Sequence, residues 1–197
     1  GAYFFDGRPV NREYGKMGKS LKNAVAPDDI YRDYGADTLR LYILFVAPPE
    51  DPLEWSDENI AGAHRFLNRV WRLGARCAET PPHGSGVVDP ASLGPAARAL
   101  RRKLHQTIIK VSDDMASFRF NTVIAGLMEL NNTLIKAKES TLVNSGVWNQ
   151  AIRNLILMMA PIFPHIADEL WHREGNTSSE HLQRWPEADP DKARVDE

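Results

Sequence analysis

The sequence holds a single cysteine, Cys77, among 197 residues. One thiol excludes an intrachain disulfide and a cysteine-based zinc centre, and makes a reducing compartment, the cytoplasm, the expected setting. Long hydrophobic runs are also missing. The longest, Leu155 to Phe163, is too short to span a bilayer and is interrupted by Pro161. No membrane partner is expected, and the N-terminus lacks the charged-then-apolar pattern of a leader. Thirteen glycines and thirteen prolines are ordinary usage and exclude collagen-like or low-complexity architecture. There is no internal repeat and no G-x-x-x-x-G-K-[ST] loop, so the usual nucleoside-triphosphate cradle is absent. His165 has no second ligand at metal spacing, which favours a structural or capping role and no metal site.

A large net charge is lacking too, at −2 overall, but the distribution is uneven. Residues 60–119 carry 10 Lys and Arg against 4 Asp and Glu, while residues 1–59 and 120–197 each carry 7 against 11. A basic centre between acidic flanks fits contact with a polyanion, or a solvated helix face.

What is present is mostly helical. Residues 1–10 read as a short strand and turn, followed by a Gly/Lys-rich loop over Tyr14 to Ser20. Pro27 with Asp28 and Asp29 starts a helix that Gly35 stops. The apolar residues from Ala36 to Phe45 are too dense for an exposed helix and predict a buried one. Ser56 caps a long helix over 57–79. On it Phe66, Leu67, Val70, Trp71, Leu73 and Cys77 fall within an arc of about 160°, and Arg65, Arg69, Arg72 and Arg76 within about 60° opposite. Trp55 is expected to wedge the first segment against this helix. After a Pro/Gly/Ser loop from Thr80 to Pro95, three further amphipathic helices are marked by Leu100 to Met115, Phe120 to Ile135, and Trp148 to Met159. The last is broken at Pro161 and resumed from Pro164 to about Trp171. Trp71, Trp148, Phe66 and Phe120 stand at core spacing.

The fold expected is mainly α: a small strand, loop and helix piece over residues 1–55, then an up-down helical bundle over 56–173. Residues 174–197 read as an exit towards a further domain. The first residue is Gly and the opening looks like the middle of something longer, so the chain reads as a fragment.

The element with chemical character is Lys16-Met17-Gly18-Lys19-Ser20, with Lys22 and Asn23 just beyond. Two ammonium groups three residues apart around a glycine can close on a polyphosphate, and the same pentapeptide can be a plain surface loop. This loop, followed by Tyr34-Gly35-Ala36-Asp37-Thr38-Leu39-Arg40, resembles the K-M-S-K-S loop and next helix of class I aminoacyl-tRNA synthetases for aliphatic amino acids. Leu44 to Glu50, Leu53 to Asp57, Arg65 to Leu73, Phe120 to Leu130 and Ala160 to Trp171 resemble the bacterial leucyl family within them. The likeness runs from about Tyr3 to Pro186 and departs at Gly18, where Ser is usual.

The resemblance implies activation of leucine by ATP with Mg2+, then transfer to tRNA-Leu, by a cytoplasmic monomer. ATP would be held by Lys16, Met17, Gly18, Lys19 and Ser20, with Lys16 and Lys19 catalytic, because a cation on the departing pyrophosphate lowers the barrier. The tRNA backbone would lie on Arg65, Arg69, Arg72 and Arg76, extended by Arg101, Arg102 and Lys103. The family's H-x-G-H motif and most of its active site have no counterpart here, so the fragment alone is expected to be inactive, with nothing bound. The alternatives are a sibling ligase for isoleucine, valine or methionine, and a non-catalytic tRNA-binding bundle.

Overall fold

A computed structural model describes residues 2–11, 13, 15, 16, 18–79, 94–137, 142, 143 and 145–194, with Lys19 described by its backbone. Most of the Thr80 to Pro95 loop, and Met17, lie outside the described residues. A hairpin of β1 (Tyr3–Phe5) and β2 (Arg8–Val10) opens the chain, turned through Asp6 and Gly7 at positive φ. Among the described residues eight α-helices follow: α1 (Pro27–Tyr34), α2 (Ala36–Val46), α3 (Asp57–Glu79), α4 (Pro95–Ala116), α5 (Phe120–Ala137), α6 (Gly146–Met159), α7 (Pro164–Arg173) and the short α8 (Pro190–Ala193). The expected mainly α architecture is the one that forms.

Local chemistry sets the boundaries. Pro27 occupies the first turn of α1, where its missing N–H is no loss, with Asp28 and Asp29 beside the positive end of the helix dipole. Gly35, at φ +85°, separates α1 from α2, and its N–H closes onto the Tyr31 carbonyl at 3.0 Å. Ser56 Oγ accepts from the Asn59 N–H at 3.4 Å, the capping role read from the sequence. Trp55 stands edge-on to Tyr42 with ring centres 4.9 Å apart, while the Tyr42 hydroxyl accepts from the Ser56 N–H at 2.8 Å. The approach to α3 is thereby pinned onto α2.

Helix α2 is buried on one face only. Leu39, Leu41 and Tyr42 are enclosed, but Ile43 and Phe45 are 48% and 38% exposed. Apolar density in the sequence overstated this helix's burial, because α1, α3, α5 and α7 pack onto it without surrounding it.

The core lies among α2 to α7. Phe66 and Phe163 meet edge to face at 6.3 Å, and Trp148 and Trp171 are fully enclosed. Trp71 is only half-buried, covered by the Arg173 guanidinium 4.5 Å from its ring centre. Phe120 is also half-buried and packs against the exposed Phe118 ring, whose residue takes φ +55° in the α4–α5 turn.

Residues 174–194 lie against the bundle. Trp171 Nε1 donates to the Ser178 carbonyl at 2.8 Å, Glu180 and Pro186 are buried, and Trp185 Nε1 donates to Ser112 Oγ at 2.8 Å. The Asp189 N–H donates to His105 Nδ1 at 3.1 Å, and Gln106 donates to the Ala193 carbonyl at 2.9 Å. A polar sequence masked this docking: its anchors are two tryptophans and main-chain groups rather than an apolar stripe, so periodicity carries no sign of it.

Candidate functional site

The lysine loop follows the hairpin directly. Its shape is held by Asn23, whose Oδ1 accepts the Gly18 N–H at 2.9 Å while Nδ2 reaches the Lys16 carbonyl at 3.5 Å. A single 3-10 turn over Lys19–Leu21 comes next, closed by the Leu21 N–H on the Gly18 carbonyl at 3.1 Å. The side chains of Lys16 and Ser20 are exposed. The Gly18 N–H is thus engaged by Asn23 and is not a free donor for a phosphate oxygen. A Cβ at Gly18 would meet only Ser20 Oγ at 3.9 Å, so the backbone there does not demand glycine. Asn23 is the residue whose part the sequence did not reveal; an amide five residues beyond a glycine carries no signal until the loop has folded.

A clamp fixes the helix after this loop to the far end of the chain. Arg40 Nε donates to the Ile162 carbonyl at 2.7 Å and Nη2 to the Pro161 carbonyl at 3.1 Å. One turn earlier, the buried Asp37 accepts the Ile166 N–H at 2.7 Å and faces His165 Nδ1 at 2.8 Å. Pro161 and Pro164 break the helix between α6 and α7 and leave carbonyls and N–H groups without intrahelical partners. Asp37 and Arg40 satisfy them. His165 accordingly has the structural role read from the sequence.

Along α3, Arg65, Arg69, Arg72 and Arg76 are all exposed on one face. Among the described residues, no carboxylate lies within ion-pair distance of Arg65, Arg69 or Arg72; Arg69 instead lies 5.9 Å from the centre of the Phe66 ring. Some cations elsewhere are paired: Lys110 and Arg119 flank Asp114, and Arg173 meets Glu169 at 2.8 Å. Lys103 is likewise taken by Glu129 at 2.7 Å, and Arg101 and Arg102 are half-buried. The two basic segments therefore differ. On α3, Arg65, Arg69 and Arg72 face no carboxylate among the described residues, whereas the segment on α4 is partly engaged within the bundle.

Cys77 is half-buried and accepts from Trp148 Nε1 at 3.3 Å; burial pushes its thiol up, so it is a packing residue rather than a nucleophile. Among the described residues no group of three His, Cys, Asp or Glu side chains could hold a metal ion, and no helix is long and apolar enough to cross a membrane.

Comparison with known proteins places this geometry. Residues 97–197, half of the chain, match the family model described as the anticodon-binding domain of tRNA ligase, and residues 6–56 match that of the class I tRNA synthetases (I, L, M and V). The chain is 45% identical over 192 residues to the leucine–tRNA ligase of Thermosynechococcus vestitus, covering 97% of this chain and 22% of that protein. It is 44% identical over 186 residues to that of Syntrophobacter fumaroxidans, covering 90% and 22%. Among solved structures, the Agrobacterium radiobacter K84 agnB2 LeuRS, crystallised as a ternary complex with tRNA and LeuAMS, superposes with a TM-score of 0.81 at 29% identity. That match covers 91% of this chain and 23% of the synthetase. The chain spans about a fifth of the length of the relatives it matches. With the lysine loop on the class I segment and helices α4 to α7 on the second, the chain belongs to the anticodon-binding domain family of tRNA ligases, preceded by a stretch of class I synthetase.

Proposed function

We propose that the chain is the lysine-loop and helical portion of a leucine–tRNA ligase, which joins leucine to ATP as leucyl-adenylate and passes it to tRNA-Leu. In this reading the leucine carboxylate attacks the α-phosphorus and pyrophosphate departs. The ammonium groups of Lys16 and Lys19 stabilise the charge that gathers on it, more in the transition state than on bound ATP. Met17, Gly18 and Ser20 complete the loop against the nucleotide. Gly18 contributes through its neighbours' geometry, since its own N–H is held by Asn23. Mg2+ would be carried with the phosphates of ATP.

The tRNA backbone would lie along Arg65, Arg69, Arg72 and Arg76, with Arg101, Arg102 and Lys103 as a second, weaker contact. Phosphate contacts of this kind position an RNA without reading its bases. The parent would act as a cytoplasmic monomer. Residues 1–55 would be the end of its catalytic domain, residues 56–173 the tRNA-binding bundle, and residues 174–197 the passage towards a further domain.

The observation that carries this reading is the Lys16-Met17-Gly18-Lys19-Ser20 loop, pinned by Asn23 and joined through α2 to the bundle by Asp37 and Arg40. The test is leucine-dependent exchange of pyrophosphate into ATP by the intact parent. Exchange with leucine, and a loss of roughly a hundredfold or more in Lys19→Ala, is the expected result. An unchanged rate in Lys19→Ala removes the catalytic role, and exchange driven by isoleucine, valine or methionine instead reassigns the substrate.

A further inference from the structure

Beyond α7 the chain turns back through a 3-10 turn over Glu180–Leu182, and the first residue of that turn is a buried acid. The Glu180 side chain has no exposure. Among the described residues its Oε1 accepts no hydrogen bond, and His181 Nε2 lies 3.0 Å away but out of line. Its other oxygen, Oε2, stands 3.3 Å from Ser179 Oγ, and the same hydroxyl lies 2.9 Å from Asp168 Oδ1 on α7. Two carboxyl groups therefore meet one serine. A hydroxyl has one proton to give and two lone pairs to receive with. One lone pair takes the His181 N–H at 3.3 Å, which caps the turn. The proton goes to Asp168, the nearer carboxyl and the more exposed of the two. Only a lone pair is left for Glu180. It repels an ionised carboxylate and accepts from a protonated one.

We propose that Asp168 and Glu180 hold one proton between them: neutral Glu180 donates to Ser179 Oγ, Ser179 donates to ionised Asp168, and loss of the Glu180 proton to water releases the turn from α7. Ionised, Glu180 would be a buried charge beside Asp168 with no donor aligned on it. The other titratable groups that face the pair are His172 on α7, with Nδ1 3.6 Å from Asp168 Oδ2, and His181 on the turn itself. His172 Nδ1 is committed to the Asp168 main-chain carbonyl at 2.8 Å. Burial first, then the bond to Asp168, pushes the Glu180 carboxyl above its ordinary 4.5, and that same bond holds Asp168 below its ordinary 3.8. Trp171 Nε1 on α7 donates to the Ser178 carbonyl at 2.8 Å, and Gln183 closes the turn on Ser178 Oγ and the Ser179 carbonyl at 3.2 Å each. Opening at Glu180 frees this seat as one unit, whatever the parent's substrate. A carboxyl with a raised folded pKa gives stability that is complete below its unfolded value and lost as pH rises through the folded one. Asp168 acts in reverse, its share being lost as pH falls through its lowered value. The seat is firmest with one proton in place.

The test measures hydrogen-exchange protection over residues 175–183 in the intact protein containing this chain, corrected for the intrinsic rate, from about pH 5 to 9. Opening releases one proton, so protection should fall by up to about tenfold per pH unit until the seated carboxyl itself ionises. Glu180→Gln keeps a donor for Ser179 without titrating, and should retain the protection while flattening its pH dependence. A double variant, His172→Gln with His181→Gln, should keep the fall and so assign it to the carboxyls. The infrared difference between wild type and Glu180→Gln at about pH 5, above the ordinary carboxyl range, should show the band of one protonated carboxyl. Protection level with pH in the wild type, a fall that survives Glu180→Gln or vanishes with the histidines, or a missing band overturns the proposal. Loss of protection at every pH in Glu180→Gln overturns it too, by making Glu180 an ionised partner of His181.

Discussion

Asp37 caps a helix that begins 127 positions later in the chain: its Oδ2 takes the Ile166 N–H at 2.7 Å, inside the first turn of α7. A cap is ordinarily the residue just before the helix, but that place belongs to Phe163, which has no side-chain acceptor. The α7 terminus borrows its acceptor from α2. With Arg40 on the carbonyls of Pro161 and Ile162, both sides of the same turn are held from one helix.

Removing that acceptor is expected to weaken the whole bundle. Asp37→Ala leaves a buried N–H and His165 without their partner, at a cost of about 1–3 kcal/mol. Asp37→Asn keeps one acceptor and should lose less. Urea midpoints of the three proteins check the ordering; equal midpoints for Asp37→Ala and wild type would show that the remote cap does not stabilise.

A second test concerns Gly74, where α3 meets α7. A Cβ there would lie 2.8 Å and 3.0 Å from the two methyls of Leu170, which is 1% exposed and has little room to turn. Gly74→Val should destabilise by about 1–3 kcal/mol through overpacking. In Gly74→Ala the clash opposes a gain of about 1 kcal/mol in helix propensity. Adding Leu170→Ala to Gly74→Val should cost less than Leu170→Ala alone, the signature of a shared space.

The docking of the tail on α4 should depend on pH. His105 Nδ1 accepts from the Asp189 N–H and so must be neutral; burial first, then the nearby Lys192, hold its pKa below the ordinary value, with Asp189 pulling the other way and Arg101 adding to the lowering. A histidine with a lowered folded pKa gives stability that is complete above its unfolded pKa, about 6.5, and is lost as pH falls through the folded value. Amide exchange in residues 185–194 should therefore quicken below about pH 6.5. His105→Gln, which keeps an acceptor without titrating, should flatten the response, and an unaltered response in that variant would assign the pH effect elsewhere.

The arginine row predicts a salt-dependent affinity for RNA. Replacing Arg65, Arg69, Arg72 and Arg76 together by Gln should lower the slope of log affinity against log salt by about 0.7–0.9 for each phosphate left unpaired. Filter binding of tRNA-Leu across salt concentrations measures it. An identical slope would leave a solvated face.

If the proposed function holds, Asn23→Ala in the intact parent should slow adenylate formation while sparing stability. Its two hydrogen bonds are exposed and weak for the fold, yet they set where Lys16 and Gly18 lie. A fall of roughly tenfold in leucine-dependent exchange, with an unchanged melting temperature, is expected from misplaced charge. Asn23→Asp, which keeps the acceptor, should retain more activity.

Much of this was legible in the sequence where local rules govern. Ser56, Pro27, Gly35 and the break between Pro161 and Pro164 each state a helix boundary through their own covalent chemistry, and the arginine row emerges from counting residues around a helix. The hidden features depend on residues far apart. Asp37 and Arg40 stand within a recognisable motif, but their partners are main-chain groups more than 120 positions away, and main-chain groups leave no trace in composition. The tail was hidden for the same reason. Ile43 and Phe45 misled in the opposite sense, since an apolar residue is no proof of a neighbour to cover it.

The clamp also bears on how the polypeptide could be divided. A protease cut or an expression boundary between Ser56 and Asp57 matches the change in sequence pattern, yet it would separate α7 from the carboxylate and guanidinium that finish its first turn. The bundle released that way would begin its life with a frayed helix next to Phe163, and the excised N-terminal piece would carry a buried face on α2 with nothing to rest on. Seams visible in a string of letters need not be places where the folded object comes apart.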